Sequence, residues 1–179
     1  MKKPIYILLL LCLFASCDQV IFPVPQPDKV KALKEIPAIL QGTYLDHNDD
    51  SLFVYERSFS YYGGEVSAIK NEHLSDSAVL KYYHKKYFFS RRIKLNGDYY
   101  WLTYILDPDE TGKKMDLYTM DPDDIVKLAK LQEITSKLQD IENGESDFYL
   151  FAPGKRDYKK IISDTIFTRM ISFRKTGNQ

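Results

Sequence analysis

The chain has 179 residues, 44% of them hydrophobic and 28% charged, with 25 Lys and Arg balanced by 25 Asp and Glu. That length fits one domain, and that apolar content excludes a disordered tail. A formal charge of zero excludes a global pull toward nucleic acid or anionic lipid.

The first element is a targeting segment. Lys2 and Lys3 precede an uncharged apolar stretch from Ile5 to Phe14, shorter than the about 20 residues needed to cross a hydrocarbon core. Ala15 and Ser16 then lead into Cys17. A basic start, a short apolar run and small residues at a boundary form the secretory pattern. Leu13-Phe14-Ala15-Ser16-Cys17 resembles the lipobox of bacterial lipoproteins, departing at Phe14, where that pattern prefers Leu. The resemblance covers only the first seventeen residues. It implies a diacylglyceryl group on the Cys17 thiol, removal of residues 1–16 as a signal peptide, and fatty acylation, as by palmitate, of the new amino group. It also implies a lipid-anchored place in the bacterial cell envelope. The alternative is an ordinary secretory signal cut elsewhere, which would leave a free thiol. The cysteine count favours the lipoprotein: Cys12 leaves with the signal, and Cys17 then has no disulfide partner. Asp18 resembles the inner-membrane retention signal of some enterobacterial lipoproteins, so either membrane stays open, with the outer membrane the expectation.

Residues 17–40 read as the lipidated cysteine and a tether. Pro23, Pro25 and Pro27 fix φ and lack donors, which predicts an extended, stiff spacer holding the body off the bilayer. Val30, Leu33 and Ile36 sit three apart, as on one face of a helical turn that Pro37 ends.

The body spans 41–174, followed by a polar tail at 175–179. Runs rich in Tyr, Phe, Val, Ile and Thr predict strands near 41–46, 51–57, 59–69, 77–82, 86–93, 99–106, 114–120, 147–152 and 165–173. Tight turns link most of them, and Asn96-Gly97 is the strongest hairpin signal because both residues tolerate positive φ. In 99–106, Trp101, Thr103 and Ile105 point one way, while Tyr100, Leu102, Tyr104 and Leu106 point the other. A strand apolar on both faces needs cover from helices or from closure into a barrel. Phe89, Trp101, Leu117, Phe148 and Phe167 are expected to face one shared interior.

Helical signals come late. Asp121-Pro122 reads as an N-cap and first helical residue, with Ile125, Leu128 and Leu131 at helical spacing. How far this helix runs past Gln132 is open. A second helix is expected at 154–162. The segments 116–128 and 147–161 echo each other as strand, proline and short helix. The fold class is therefore mainly β, a β-rich α+β domain: a curved antiparallel meander or lipocalin-like barrel with two short helices. The lipocalin resemblance rests on this architecture; the usual Gly-x-Trp is absent, and "QGTYL" at 41–45 is a distant analogue, with Tyr44 in the aromatic place.

Motifs for catalysis are not found: no G-x-S-x-G, no phosphate-binding glycine loop, no H-E-x-x-H. No catalytic residue, metal ligand set or cofactor is expected. His47, His73 and His84 fall in separate segments. Asp46, Asn48 and Asp50 alternate as in a calcium loop, but Ser51 stands where glycine is needed and Arg57 where the bidentate glutamate is needed, so a polar hairpin is the better account. The stretch 81–94 carries Lys81, Lys85, Lys86, Arg91, Arg92 and Lys94 with interleaved aromatics and no acid. It is a candidate contact for an anionic glycan or lipid headgroup, against the plainer reading of a solvated hairpin. The function expected is a non-catalytic binding or interaction domain of the envelope, held to the membrane through Cys17. Its partners would be an envelope protein, an anionic glycan or an apolar small molecule, with no nucleic acid. The alternatives are a lipocalin-like carrier of a small apolar ligand or an enzyme whose site carries no familiar motif.

Overall fold

The computed structural model describes residues 19–64, 69–134, 138–143, 146–163 and 166–177. The signal segment 1–16, Cys17 and Asp18 lie outside the described residues.

The elements in order are β1 (Gln19–Ile21), β2 (Gly42–Leu45), β3 (Ser51–Val54), β4 (Ser58–Tyr62), β5 (Glu72–His73), β6 (Ala78–Tyr83), β7 (Lys86–Leu95), β8 (Asp98–Pro108), β9 (Lys114–Met120), α1 (Ile125–Ile134), β10 (Leu138–Asn143), β11 (Ser146–Phe151), α2 (Lys155–Ser163) and β12 (Phe167–Lys175). Nine strands form one antiparallel sheet in the order β5-β4-β3-β2-β12-β9-β8-β7-β6. Its two edge strands, β5 and β6, are consecutive in the chain. A tight turn joins them, in which the Ser75 amide donates to the Ala78 carbonyl at 2.9 Å. Arg91 of β7 also reaches Glu72 of β5 at 3.6 Å. The sheet thus curls into a nearly closed barrel. β1, β11 and β10 form a second, three-stranded sheet. Among the described residues no helix is long and apolar enough to cross a membrane.

Period-two alternation sorts the long strands into two cores. Leu102, Tyr104 and Leu106 of β8 face the barrel interior with Phe89 and Leu117, while Trp101 and Ile105 face outward. The interior is filled by interlocking rings: Phe59 meets Phe89 at 5.2 Å between centroids and Tyr61 meets Phe173 at 5.8 Å, both edge-on. The outer face of β8 is covered by β1, α2 and β11, where Phe22 meets Phe151 at 5.8 Å and Phe88 meets Tyr158 at 5.6 Å. Trp101 and Phe167 therefore do not share an interior with Phe89 and Leu117, as alternation had led us to expect; they belong to the outer core. Phe148 packs at the margin of the inner one. Alternation sorts residues into two faces within a strand, but strand curvature decides which face is concave.

The proline segment is docked, not a free spacer. Phe22 exchanges two backbone hydrogen bonds of 2.8 Å with Trp101. The Gln26 amide donates to Ser90 Oγ at 3.2 Å, and Ser90 in turn pairs with Thr103 Oγ1 at 2.9 Å. Lys81 Nζ donates to the Pro25 and Pro27 carbonyls at 2.6 and 2.9 Å. Proline removes donors from this strap but leaves its carbonyls, and a buried lysine satisfies two of them. The strap then passes Leu80 and Glu56 through the Leu33 and Ile36 amides. Ile36 and Leu40 are fully buried against the barrel, where the Tyr44 hydroxyl donates to the Leu40 carbonyl at 3.0 Å. Burial, with Asp109 nearby, pushes the Tyr44 phenol up to about 12.

Helix α1 begins later than Asp121-Pro122 implies. Asp121 closes a turn, its carboxylate accepting the Asp123 amide at 3.1 Å. The cap is Asp124, which accepts the Lys127 amide at 3.1 Å. At α2, Asp157 reaches back to the Gly154 amide at 2.9 Å.

Candidate functional site

The barrel wall has a fault between β8 and β9. Their ladder covers only Ile105–Pro108 against Met115–Tyr118. Beyond Tyr118, β9 stays with β12, pairing Thr119 with Thr168 and Met120 with Phe167. β8 leaves β9 there and turns to the strap, through the Trp101–Phe22 bridge. β12 adds a bulge between Arg169 and Ile171, which leaves Met170 without a partner in β9 and 40% exposed. Bulges bend a strand and re-aim its side chains. The divergence and the bulge together open a cleft of 420 Å³.

Apolar groups of the cleft come from Val20, Leu102, Met120, Pro122 and Met170. Polar groups converge on it from three elements: Gln19 of β1, Thr119 of β9, Thr168 and Arg169 of β12, with Asp121 and Asp123 at the turn into α1. Lys127 ties the helix to this rim by donating to Thr168 Oγ1 at 2.6 Å while pairing with Asp124 at 3.1 Å. An apolar surface with a few converging polar groups, in the range of about 300–1,000 Å³, is the usual form of a small-molecule site. None of these residues stood out in the sequence. The signal was indirect: Met170 interrupts the alternation of β12, and Asp121-Pro122 marks a turn rather than a cap.

The six basic residues of 81–94 are scattered. Lys81 is buried beneath the strap, where desolvation lowers its pKa against the opposing pull of Asp28. Lys86 pairs with Asp107 and lies 5.9 Å from the Tyr118 ring centre. Arg91 is held by Glu72. Lys85 stands exposed in the β6–β7 turn. Arg92 and Lys94 share one outward face and flank Tyr99, at 4.8 and 6.0 Å from its ring. Only these last two cations form a local cluster with an exposed aromatic.

Asp46 begins the β2–β3 turn and uses both carboxylate oxygens internally. One accepts the Asn48 and Asp50 amides at 2.7 and 3.0 Å, the other the Tyr61 hydroxyl at 2.6 Å. Burial pushes this carboxyl up, but the three hydrogen bonds outweigh it and hold the group below its ordinary 3.8. A depressed folded-state pKa contributes stability above the unfolded value, and that contribution is lost as pH falls through the folded value. Urea midpoints of the wild type are expected to fall with pH from about 4 downward. Asp46→Asn is expected to flatten that slope; an unchanged slope would show that Asp46 is not the titrating group. The three histidines occupy the β2–β3 turn, β5 and the β6–β7 turn, and all are exposed. Among the described residues, no group of three or more His, Cys, Asp or Glu could hold a metal ion. No family model, no curated protein and no solved structure matches this chain.

Proposed function

We propose that this is a lipid-anchored, non-catalytic binding protein of the bacterial envelope, and that its lipocalin-like barrel holds a small amphipathic molecule in the cleft between β8 and β9. The observation that carries the reading is the incomplete β8–β9 ladder, which gives an otherwise filled barrel a lateral cleft lined by both apolar and polar groups. A filled interior argues against loading through a barrel mouth, because the interlocking rings leave no room there. The anchor comes from the lipobox-like segment ending at Cys17.

A version starting at Gln19 retains all the described residues. The single tryptophan, Trp101, directly precedes cleft-lining Leu102 and reports on the site. Titration with a single-chain amphiphile such as a lysophospholipid, below its micelle concentration, is expected to change Trp101 emission saturably. Thr119→Phe, which fills the cleft without adding a tryptophan, is expected to weaken binding about tenfold or more, a loss of about 1.4 kcal/mol. A folded wild type with no saturable response would defeat the reading.

A further inference from the structure

We propose that the cleft takes the headgroup of a zwitterionic phospholipid belonging to the same bilayer that holds the anchor. This rests on the anchored-binder reading and names its ligand. The first observation is positional. Gln19 and Val20 line the cleft and are fixed in place, Gln19 opposite Phe148 and Val20 opposite Tyr149 in the ladder with β11. Cys17 lies two residues before Gln19, a reach of at most about 7 Å. A strap docked from Gln19 onward leaves no slack to lift the body away. A lipid on Cys17 therefore sets the rim of the cleft at the level of the headgroups.

The second observation is chemical. Arg169 of β12 and the carboxylates Asp121 and Asp123, at the turn into α1, line the same cleft. Guanidinium is suited to phosphate, and carboxylates are suited to an ammonium group. A ligand carrying both charges satisfies both kinds of group, whereas a purely anionic lipid would meet the two acids unfavourably. The third observation is size. A cleft of 420 Å³ accommodates a headgroup and glycerol but not two acyl chains. The tails stay in the bilayer, which requires the cleft to open onto it. Met170, which lines the cleft and is 40% exposed, gives it apolar surface to meet the interface.

The test uses the mature acylated protein in vesicles of phosphatidylcholine. Small fractions of spin-labelled phosphatidylethanolamine or phosphatidylglycerol, labelled near the top of one chain, are added in separate samples. The expected result is a motionally restricted lipid population that is lost in Thr119→Phe. It should favour the ethanolamine lipid over the glycerol lipid about tenfold, as one exchanged charge contact would give. Asp123→Lys, an exposed position, is expected to reverse that preference. Lysophospholipid titration of the version starting at Gln19 runs alongside. Binding there with no restricted phospholipid in vesicles overturns the proposal and leaves the small-ligand reading standing. No binding in either format overturns both. Restricted lipid without headgroup preference, or a preference unmoved by Asp123→Lys, overturns the assignment of Arg169 and the two acids to a zwitterion.

Discussion

Phe89→Ala is expected to lower the unfolding free energy by about 3–5 kcal/mol, among the largest losses a single truncation gives. Phe89 is fully buried at the middle of β7, paired with Leu80 on one side and Tyr104 on the other. Its ring also meets Phe59 from the far wall of the barrel at 5.2 Å. Hydrogen-bonded strands hold the surrounding walls apart, so they cannot collapse into the space left behind. With a domain stability of about 5–15 kcal/mol in ordinary cases, such a loss leaves a marginal fold. Urea unfolding followed by circular dichroism measures it. A cost below about 1 kcal/mol would mean that the interior is not tightly packed. Trp101→Ala is expected to cost less, although the ring is larger. Trp101 keeps 9% exposure, and one border of its site is the strap, which can settle inward.

Cys17→Ser is expected to leave the precursor uncut and free of lipid, with residues 1–16 still attached. The effect on attachment is complete, because each buried methylene contributes about 0.8 kcal/mol and two or three chains leave together. The domain itself is expected still to fold, since the substitution leaves the packing from Gln19 onward unchanged in sequence. Intact-mass measurement of the membrane fraction, with urea midpoints on the extracted protein, separates attachment from folding. A Cys17→Ser protein that is still cleaved before residue 17, or a wild type whose mature cysteine carries no acyl mass, would remove the lipoprotein reading. It would also remove the reason for placing the cleft against a bilayer.

Much of the barrel was legible because its strands are long and alternate cleanly. The stretch 114–120 is a strand from end to end, 86–93 runs on to Leu95, and 99–106 widens to Asp98–Pro108. Asn96 and Gly97 sit at φ 51° and 96°, as their residue types demand. His84 and Lys85 make the same two-residue reversal at φ 48° and 63°, where nothing in their chemistry announces it. The ladder Tyr83–Lys86 imposes the turn on them. Strand β10, "LQDIEN", was hidden for a related reason: it has little alternation of its own and pairs only with β11.

By itself, the sequence determined the β-rich class, the two faces of β8 and the approximate place of both helices. These follow from local properties: residue shape, turn chemistry and a period of two or 3.6. Only the tertiary structure decided that the proline segment is a docked strap, that Lys81 is a buried donor rather than a surface cation, and that two cores share the apolar residues. It also decided the cleft, because a gap between β8 and β9 depends on where two strands separated from β12 and β1 in sequence part company. Each of those outcomes depends on which distant backbone groups find one another, and residues such as Phe22 and Trp101, or Gln26 and Ser90, carry no mark of their partner in their own identity.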